Sequence, residues 1–114
     1  MNPDPNCVFC NIAAKTVASN ILYETDDMMI LQDIMPKAPV HVLVMPKKHV
    51  ASVNGLTQED SGLIAELILA ARDYAAKAGV SETGYKLVLN NGKQGGQIIP
   101  HLHMHLLGGK QLEE

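Results

Sequence analysis

The chain has 114 residues and a formal net charge of −3, and 46% of its residues are hydrophobic against 18% charged. This composition excludes an intrinsically disordered chain, and the length fits one domain over residues 1–114. With no basic stripe beyond Lys47-Lys48, binding to nucleic-acid polymers through their backbone is excluded. No apolar run approaches the roughly 18 residues of a membrane span. Met1–Asn6 lacks the features of a secretory signal, so we expect a cytoplasmic protein that makes no membrane contact.

The first half of the chain predicts three strands. Ile21–Glu24 and Met28–Asp33 are two short apolar runs joined by the polar cluster Thr25–Asp27, which predicts a hairpin. A turn with two prolines follows, and then the apolar, β-branched run Val40–Met45 predicts a third strand that ends at Pro46.

The second half predicts one long helix and two further strands. Apolar residues recur with helical period over Gln58–Ala78, which predicts the helix. Thr57 with Asp60 predicts a variant capping box at its start, and Gly79 predicts a residue in the left-handed conformation at its end. Tyr85–Asn90 alternates as a strand, and the polar glycine loop Asn91–Gln97 leads into the apolar and histidine-rich run Ile99–Leu107. Hairpins around one helix favour an α+β domain with a mostly antiparallel sheet.

Three histidines, His101, His103 and His105, alternate with Leu102, Met104 and Leu106. Residues two apart in a strand point to the same face, so a strand here places three imidazoles in a row and the apolar residues in the core. A single histidine on a strand is most simply a polar surface residue, but three in register favour chemistry. Two uses remain open at this point: a metal cluster, or a nucleophile flanked by groups that orient it and handle protons.

The only two cysteines, Cys7 and Cys10, form a Cys-x-x-Cys pair. Zinc sites commonly complete such a pair with two histidines, and two of the five histidines would make a Cys2His2 site. Two unmetallated thiols and a redox pair are the alternatives. A thioredoxin-like role is disfavoured because the pair does not follow a strand of a βαβ unit.

The run His101-Leu102-His103-Met104-His105-Leu106-Leu107 resembles the signature of the histidine triad superfamily, and the rest of the chain is similar to its nucleotide-binding branch. The resemblance implies a five-stranded, mostly antiparallel sheet with one long helix and a short N-terminal helix, and a homodimer. Six blocks in the same order carry it: Cys7–Ile12, Asp33–His41, Pro46–His49, Gly95–Gln97, His101–Leu107 and Leu107–Gly109.

The resemblance implies a covalent mechanism at the middle histidine. His103 would attack the α-phosphorus of a purine nucleoside phosphoramidate or related ester, and water would hydrolyse the nucleotidyl-histidine. His105 would contact the phosphate and handle protons, and His41 would support them by hydrogen bonding. The nucleotide-binding residues implied with His103 and His105 are Asp33 at the ribose, Ile34 at the base, and Asn90, Gly96 and Gln97 near the phosphate.

The resemblance also selects the metal ligands and leaves alternatives for the function. Structural zinc would be held by Cys7, Cys10, His49 and His101. The chain departs from some members at Ile98, where they carry a serine that contacts the leaving group. The alternatives are a dinucleoside polyphosphate hydrolase and a zinc-stabilised nucleotide-binding regulatory module without significant catalysis.

Overall fold

A computed structural model describes residues 4–114; Met1–Pro3, part of the segment in which the sequence shows no secretory signal, lie outside the described residues. The structure contains two helices and five strands, with two short 3-10 turns before the long helix. The elements are α1 Val8–Ala13, β1 Ile21–Glu24, β2 Met28–Gln32, β3 Val40–Pro46, α2 Ser61–Lys77, β4 Tyr85–Leu89 and β5 Met104–Gly108.

The strands form one antiparallel sheet in the order β1-β2-β3-β5-β4. This confirms the α+β class, the five-stranded sheet, the long helix and the short N-terminal helix. None of the helices in the described part of the chain has the length and apolar character needed to cross a membrane.

Alternation along the strands gives the sheet two distinct faces. One face packs against α2, and its buried cluster includes Ile30, Val42, Leu67, Met104 and Leu106. The other face packs against α1 through a second cluster. The members of that cluster are Cys7, Phe9, Cys10, Ile12, Met29, Leu31 and Met45.

The long helix is flanked by the capping residues that the sequence predicts. The carboxylate of Asp60 accepts a hydrogen bond from the Thr57 backbone N–H (2.9 Å) and from the Lys48 ammonium (2.7 Å). Gly79 has a φ of 81°, which a glycine adopts without steric cost. The helix differs from the prediction at its start, because Gln58–Asp60 forms a 3-10 turn and the α-helix begins at Ser61.

The predicted histidine strand is shorter than the sequence pattern indicates, because β5 begins only at Met104. Pro100 has no N–H to give to a neighbouring strand, and the carbonyl of His101 accepts from the His103 ring instead of from a strand. The prediction of a strand through His101 and His103 is therefore wrong. The apolar residues Leu102, Met104 and Leu106 are buried as expected.

Candidate functional site

The histidine site lies on the sheet face that α1 partly covers. Leu43 of β3 pairs with His105 of β5, and His41 pairs with Leu107. His41 and His105 therefore lie on one face, on adjacent strands and offset by two positions. His41 is 2% exposed, whereas His103 and His105 are only partly buried. The site thus combines one buried imidazole with two that solvent reaches.

His103 is held by its own backbone. Its Nδ1 lies 2.7 Å from the carbonyl oxygen of His101. A carbonyl only accepts hydrogen bonds, so Nδ1 carries the proton and the neutral ring has a lone pair at Nε2. The ring also makes edge contacts with Phe9 and His105, with ring centroids 5.3 and 5.1 Å away. The observed geometry therefore orients a potential nucleophile.

His105, His41 and Asp33 form a hydrogen-bonded group beside His103. His41 Nε2 lies 2.9 Å from His105 Nδ1 and 3.2 Å from Asp33 Oδ2. Burial is the largest cause that lowers the pKa of both histidines, and it brings the pKa of His105 to about 4. Both rings are therefore neutral near neutral pH.

Asp33 and Ile34 begin the loop after β2. Asp33 uses Oδ1 to accept the backbone N–H of Met35 (2.8 Å), which fixes its carboxylate next to His41. Ile34 is 91% exposed. The structure thus brings Asp33 to the histidines and leaves the Ile34 side chain on the open surface that flanks them.

The glycine loop is held by two amide side chains. Asn90 Nδ2 donates to the Gly95 carbonyl (2.7 Å). Gln97 Nε2 donates to the carbonyls of Ala51 and Ile99, and Gln97 Oε1 accepts from the Gly92 N–H. Leu89 pairs with Met104, so Asn90 follows at the level of His103. Both amide protons of Gln97 are bonded within the protein, whereas one amide proton of Asn90 has no partner among residues 4–114.

Four residues from distant parts of the chain form a second cluster. Cys7 Sγ lies 3.2 Å from His101 Nδ1, and Cys10 Sγ lies 3.3 Å from His49 Nδ1 and 3.7 Å from His101 Nδ1. His101 is fully buried, and its Nε2–H donates to the Pro46 carbonyl (2.9 Å), which leaves Nδ1 as a lone pair facing the sulfurs. Burial raises the pKa of the Cys7 thiol and lowers that of His101.

The donor set of this cluster fits a metal ion. A tetrahedral zinc with sulfur and nitrogen ligands separates them by about 3.5 Å, which the observed distances bracket. The four ligand atoms all lie within 4.8 Å of one another. The structure thus brings together all four residues that the sequence names, and they could hold a metal.

Phe9 is a contact that the sequence analysis missed. It lies between the two cysteines, is 4% exposed, and packs edge-on against both His101 and His103. Its position inside the Cys-x-x-Cys pair was the available signal, since one turn of helix places it beside both cysteines. Phe9 joins the cysteine cluster to the histidine site.

Comparison with known proteins gives consistent matches. The sequence profile of the HIT domain matches residues 14–112. The chain is 41% identical over 105 residues to an uncharacterised HIT-like protein of Synechococcus elongatus, a region that covers 92% of this chain and 91% of the relative.

Solved structures agree with these matches. A HIT family hydrolase from Legionella pneumophila has a TM-score of 0.93 at 42% identity and covers 95% of this chain and 96% of its own. A histidine triad protein from Clostridium difficile has a TM-score of 0.94 at 34% identity, over 100% of this chain and 98% of its own.

One further solved structure contains a metal. It is a zinc-bound histidine triad family protein from Mycobacterium smegmatis, with a TM-score of 0.79 at 25% identity over 92% of this chain and 76% of its own. The profile match, the relatives and the fold together show that this chain belongs to the HIT domain family, whose solved members include hydrolases.

Proposed function

We propose that the chain is one HIT domain that hydrolyses purine nucleoside phosphoramidates, as in the nucleotide-binding branch, through a covalent nucleotidyl-histidine. The observation that carries this proposal is the hydrogen bond from His103 Nδ1–H to the His101 carbonyl. It fixes the tautomer whose Nε2 is unprotonated and reaches solvent, which a nucleophilic imidazole requires.

The two chemical steps follow from this arrangement. His103 Nε2 forms a bond to the α-phosphorus while the P–N bond breaks, the leaving nitrogen takes a proton from a water molecule, and the Nε2–H of neutral His105 donates a hydrogen bond to the phosphate. The hydroxide left by that water then attacks the nucleotidyl-histidine, and the bond from phosphorus to Nε2 breaks to release the nucleoside monophosphate and restore His103. His41 supports His105 through the 2.9 Å contact.

The remaining proposed residues bind the nucleotide. Asp33 accepts ribose hydroxyl protons, and the exposed side chain of Ile34 covers the base. The free amide proton of Asn90 contacts the phosphate, where a donor stabilises developing negative charge. Gly96 and Gln97 shape the loop beside this amide: Gly96 has a φ of 85°, which favours glycine, and Gln97 anchors the loop to the Ala51 carbonyl.

The proposal includes a structural zinc ion held by Cys7, Cys10, His49 and His101. Four protein ligands close a tetrahedral site, and the ion would tie α1 to the segment that carries His103. Support comes from the inward-facing Nδ1 lone pair of His101 and from the zinc-bound relative. The two free thiols agree with the reducing cytoplasm as the location.

We also propose a homodimer that joins the two sheets. The outer edge of β4 has no partner strand within the described chain. Leu87 and Leu89 on this strand, and Ile68 and Leu69 on α2, are between 38% and 47% exposed. Exposed apolar residues beside an open edge are typical of an interface. Sedimentation that gives a monomer at micromolar concentration would contradict this assembly.

The test is to trap the covalent intermediate. Purified protein is mixed with an adenosine phosphoramidate that turns over slowly, quenched, and analysed by intact and peptide mass spectrometry. We expect one adenylyl group on the peptide that contains His103. His103→Asn should abolish the adduct, and His105→Gln should retain the adduct peptide but slow its formation.

Other outcomes separate the alternatives. Preferential cleavage of diadenosine polyphosphates would move the chain to the other enzymatic branch. Nucleotide binding with neither adduct nor turnover would support a regulatory module, and unchanged hydrolysis by His103→Asn would refute the mechanism.

A further inference from the structure

We propose that the backbone amide of Lys37 selects the tautomer of His41 and, through His41, places the proton of His105 on the nitrogen that faces substrate. The loop between β2 and β3 is then a positioning element for a hydrogen-bond donor to the phosphate. The inference rests on the proposed function for the role of His105, although the tautomers themselves do not depend on it.

The first link is the hydrogen bond from the Lys37 backbone N–H to His41 Nδ1, at 3.0 Å. A backbone N–H is always a donor, so His41 Nδ1 must be a lone pair. The neutral ring of His41 then carries its proton on Nε2. Because His41 is 2% exposed, the Lys37 amide is the group that decides this proton's place.

The second link is the pair of nitrogens His41 Nε2 and His105 Nδ1, which lie 2.9 Å apart. One of two neutral imidazole nitrogens at this distance must donate and the other accept. His41 Nε2 is the donor by the first link, so His105 Nδ1 accepts and the His105 proton lies on Nε2, on the other side of the ring. Asp33 Oδ2, at 3.2 Å, is a second acceptor for the same His41 proton.

Burial keeps both rings of this arrangement neutral. The groups that face His41 are Asp33, Lys37 and His105, and those that face His105 are His103, His41, Asp33 and Lys37. Burial outweighs the attraction of Asp33 and lowers the pKa of both rings. With both rings neutral, the tautomer and not the charge determines which nitrogen of His105 donates.

The same contact argues against a different use of this group. Asp33, His41 and His105 are close enough to hold a metal ion. A metal bound by His41 Nε2 would force the proton onto Nδ1, directly against the Lys37 N–H. The Lys37 amide therefore favours a hydrogen-bonded pair of imidazoles over a metal site.

The loop fixes this amide through its backbone. The Asp33 N–H donates to the His41 carbonyl (3.2 Å), and the Met35 N–H donates to Asp33 Oδ1 (2.8 Å). Pro36 precedes Lys37 and restricts the loop further. The Lys37 side chain itself is exposed and affects His41 only through its charge, so the hydrogen bond to His41 comes from the main-chain N–H.

The direct experiment is an imidazole ¹H–¹⁵N spectrum of the uniformly labelled protein at neutral pH. We expect the Nε2–H pattern for His41 and His105 and the Nδ1–H pattern for His103. We also expect the Lys37 amide to be protected from hydrogen exchange although its side chain is exposed. An Nδ1–H pattern for His41, or an unprotected Lys37 amide, would overturn the proposal.

A matched pair of variants tests the consequence. Lys37→Ala loses the side chain and keeps the N–H, whereas Lys37→Pro loses both. A positioned hydrogen-bond donor to developing negative charge contributes about 10²- to 10³-fold, so we expect kcat of Lys37→Pro to be at least about 10-fold below that of Lys37→Ala, with KM within about twofold. We expect the Nε2–H pattern only in Lys37→Ala.

The outcomes distinguish this proposal from the proposed function. Equal kcat values and equal tautomers in the two variants would overturn the tautomer control while leaving the His103 adduct unaffected. Absence of the adduct in the wild type would refute the proposed function while the tautomers stood. If titration with zinc removed the proton from His41 Nε2 in the imidazole spectrum, the group of Asp33, His41 and His105 would be a metal site instead. If Lys37→Pro does not fold, the wild-type spectrum and amide protection still decide the matter.

Discussion

Acidification should destabilise this fold measurably through His105. The pKa of His105 is near 6.5 in the unfolded chain and about 4 in the folded chain, chiefly because burial in the folded chain favours the neutral ring. Between these values the unfolded chain binds more protons than the folded chain. The free energy of unfolding therefore falls as the pH falls from 6.5 towards 4, and is recovered above 6.5.

The magnitude follows from the size of the pKa difference. At about 1.36 kcal/mol per pH unit, lowering the pH from 7 to 4.5 costs at most about 2.5 kcal/mol. Since His105 is partly exposed, we expect solvent screening to reduce this to about 1–2 kcal/mol. That loss is a large share of the stability of a domain of this size.

The assay is urea unfolding at several pH values, with a chelator present and the protein concentration held constant. The glutamine of His105→Gln does not titrate, so the free energy of unfolding of this variant should decrease less than that of the wild type as the pH is lowered. Leu106→Val, which trims the fully buried neighbour, should lower stability at every pH and keep the wild-type slope. Equal slopes for His105→Gln and the wild type would refute the assignment of the acid sensitivity to His105.

Four further substitutions probe the fold and the site. Gly109 has a φ of 91° and its added Cβ would lie 2.9 Å from Pro39 Cβ, so Gly109→Ala should cost about 1–2 kcal/mol in urea unfolding. Gly62→Ala, in α2 with open space around the Cβ, should instead stabilise by about 0.5–1 kcal/mol; a cost at both glycines would contradict this reasoning. Phe9→Leu keeps an apolar side chain but removes both ring contacts. We therefore expect the free energy of unfolding to fall by about 1 kcal/mol and the adduct to form more slowly in the quench assay. Unchanged adduct kinetics would show that Phe9 does not position His103. Ile98 is 91% exposed, so Ile98→Ser should change the free energy of unfolding by no more than about 0.5 kcal/mol. We expect steady-state kinetics to show faster turnover of substrates with poor leaving groups. Unchanged turnover would mean that no hydroxyl is needed at this position.

Local patterns predicted most of the fold because they record which face each side chain presents. The helical spacing of Leu67, Ala71 and Ala75 identified the buried face of α2. Strand alternation identified Leu102, Met104 and Leu106 as core residues. Thr57, Asp60 and Gly79 marked the helix ends because capping depends on nearby residues.

The sequence proposed residues for the site but could not give their contacts. Pairings such as Leu102 N–H with the Val50 carbonyl, or His101 Nε2 with the Pro46 carbonyl, join positions about 50 apart that no local pattern relates. The same holds for the Lys37 amide, since a backbone donor leaves no mark on residue type. The sequence therefore named the histidines, and the structure was needed to assign their protons.

The cysteine cluster has a consequence for the topology of the unfolded chain. Cys7 and His101 are 94 positions apart, and all of β1 to β4 and α2 lie between them. With zinc bound by both, most of the sequence would be closed into one ring, as a disulfide would close it. Closing a loop of that length reduces the conformational entropy of the unfolded chain, which raises its free energy by about 4–5 kcal/mol at 25 °C. A metal cross-link between these two residues would therefore give this small domain the kind of stabilisation that secreted proteins obtain from cystine.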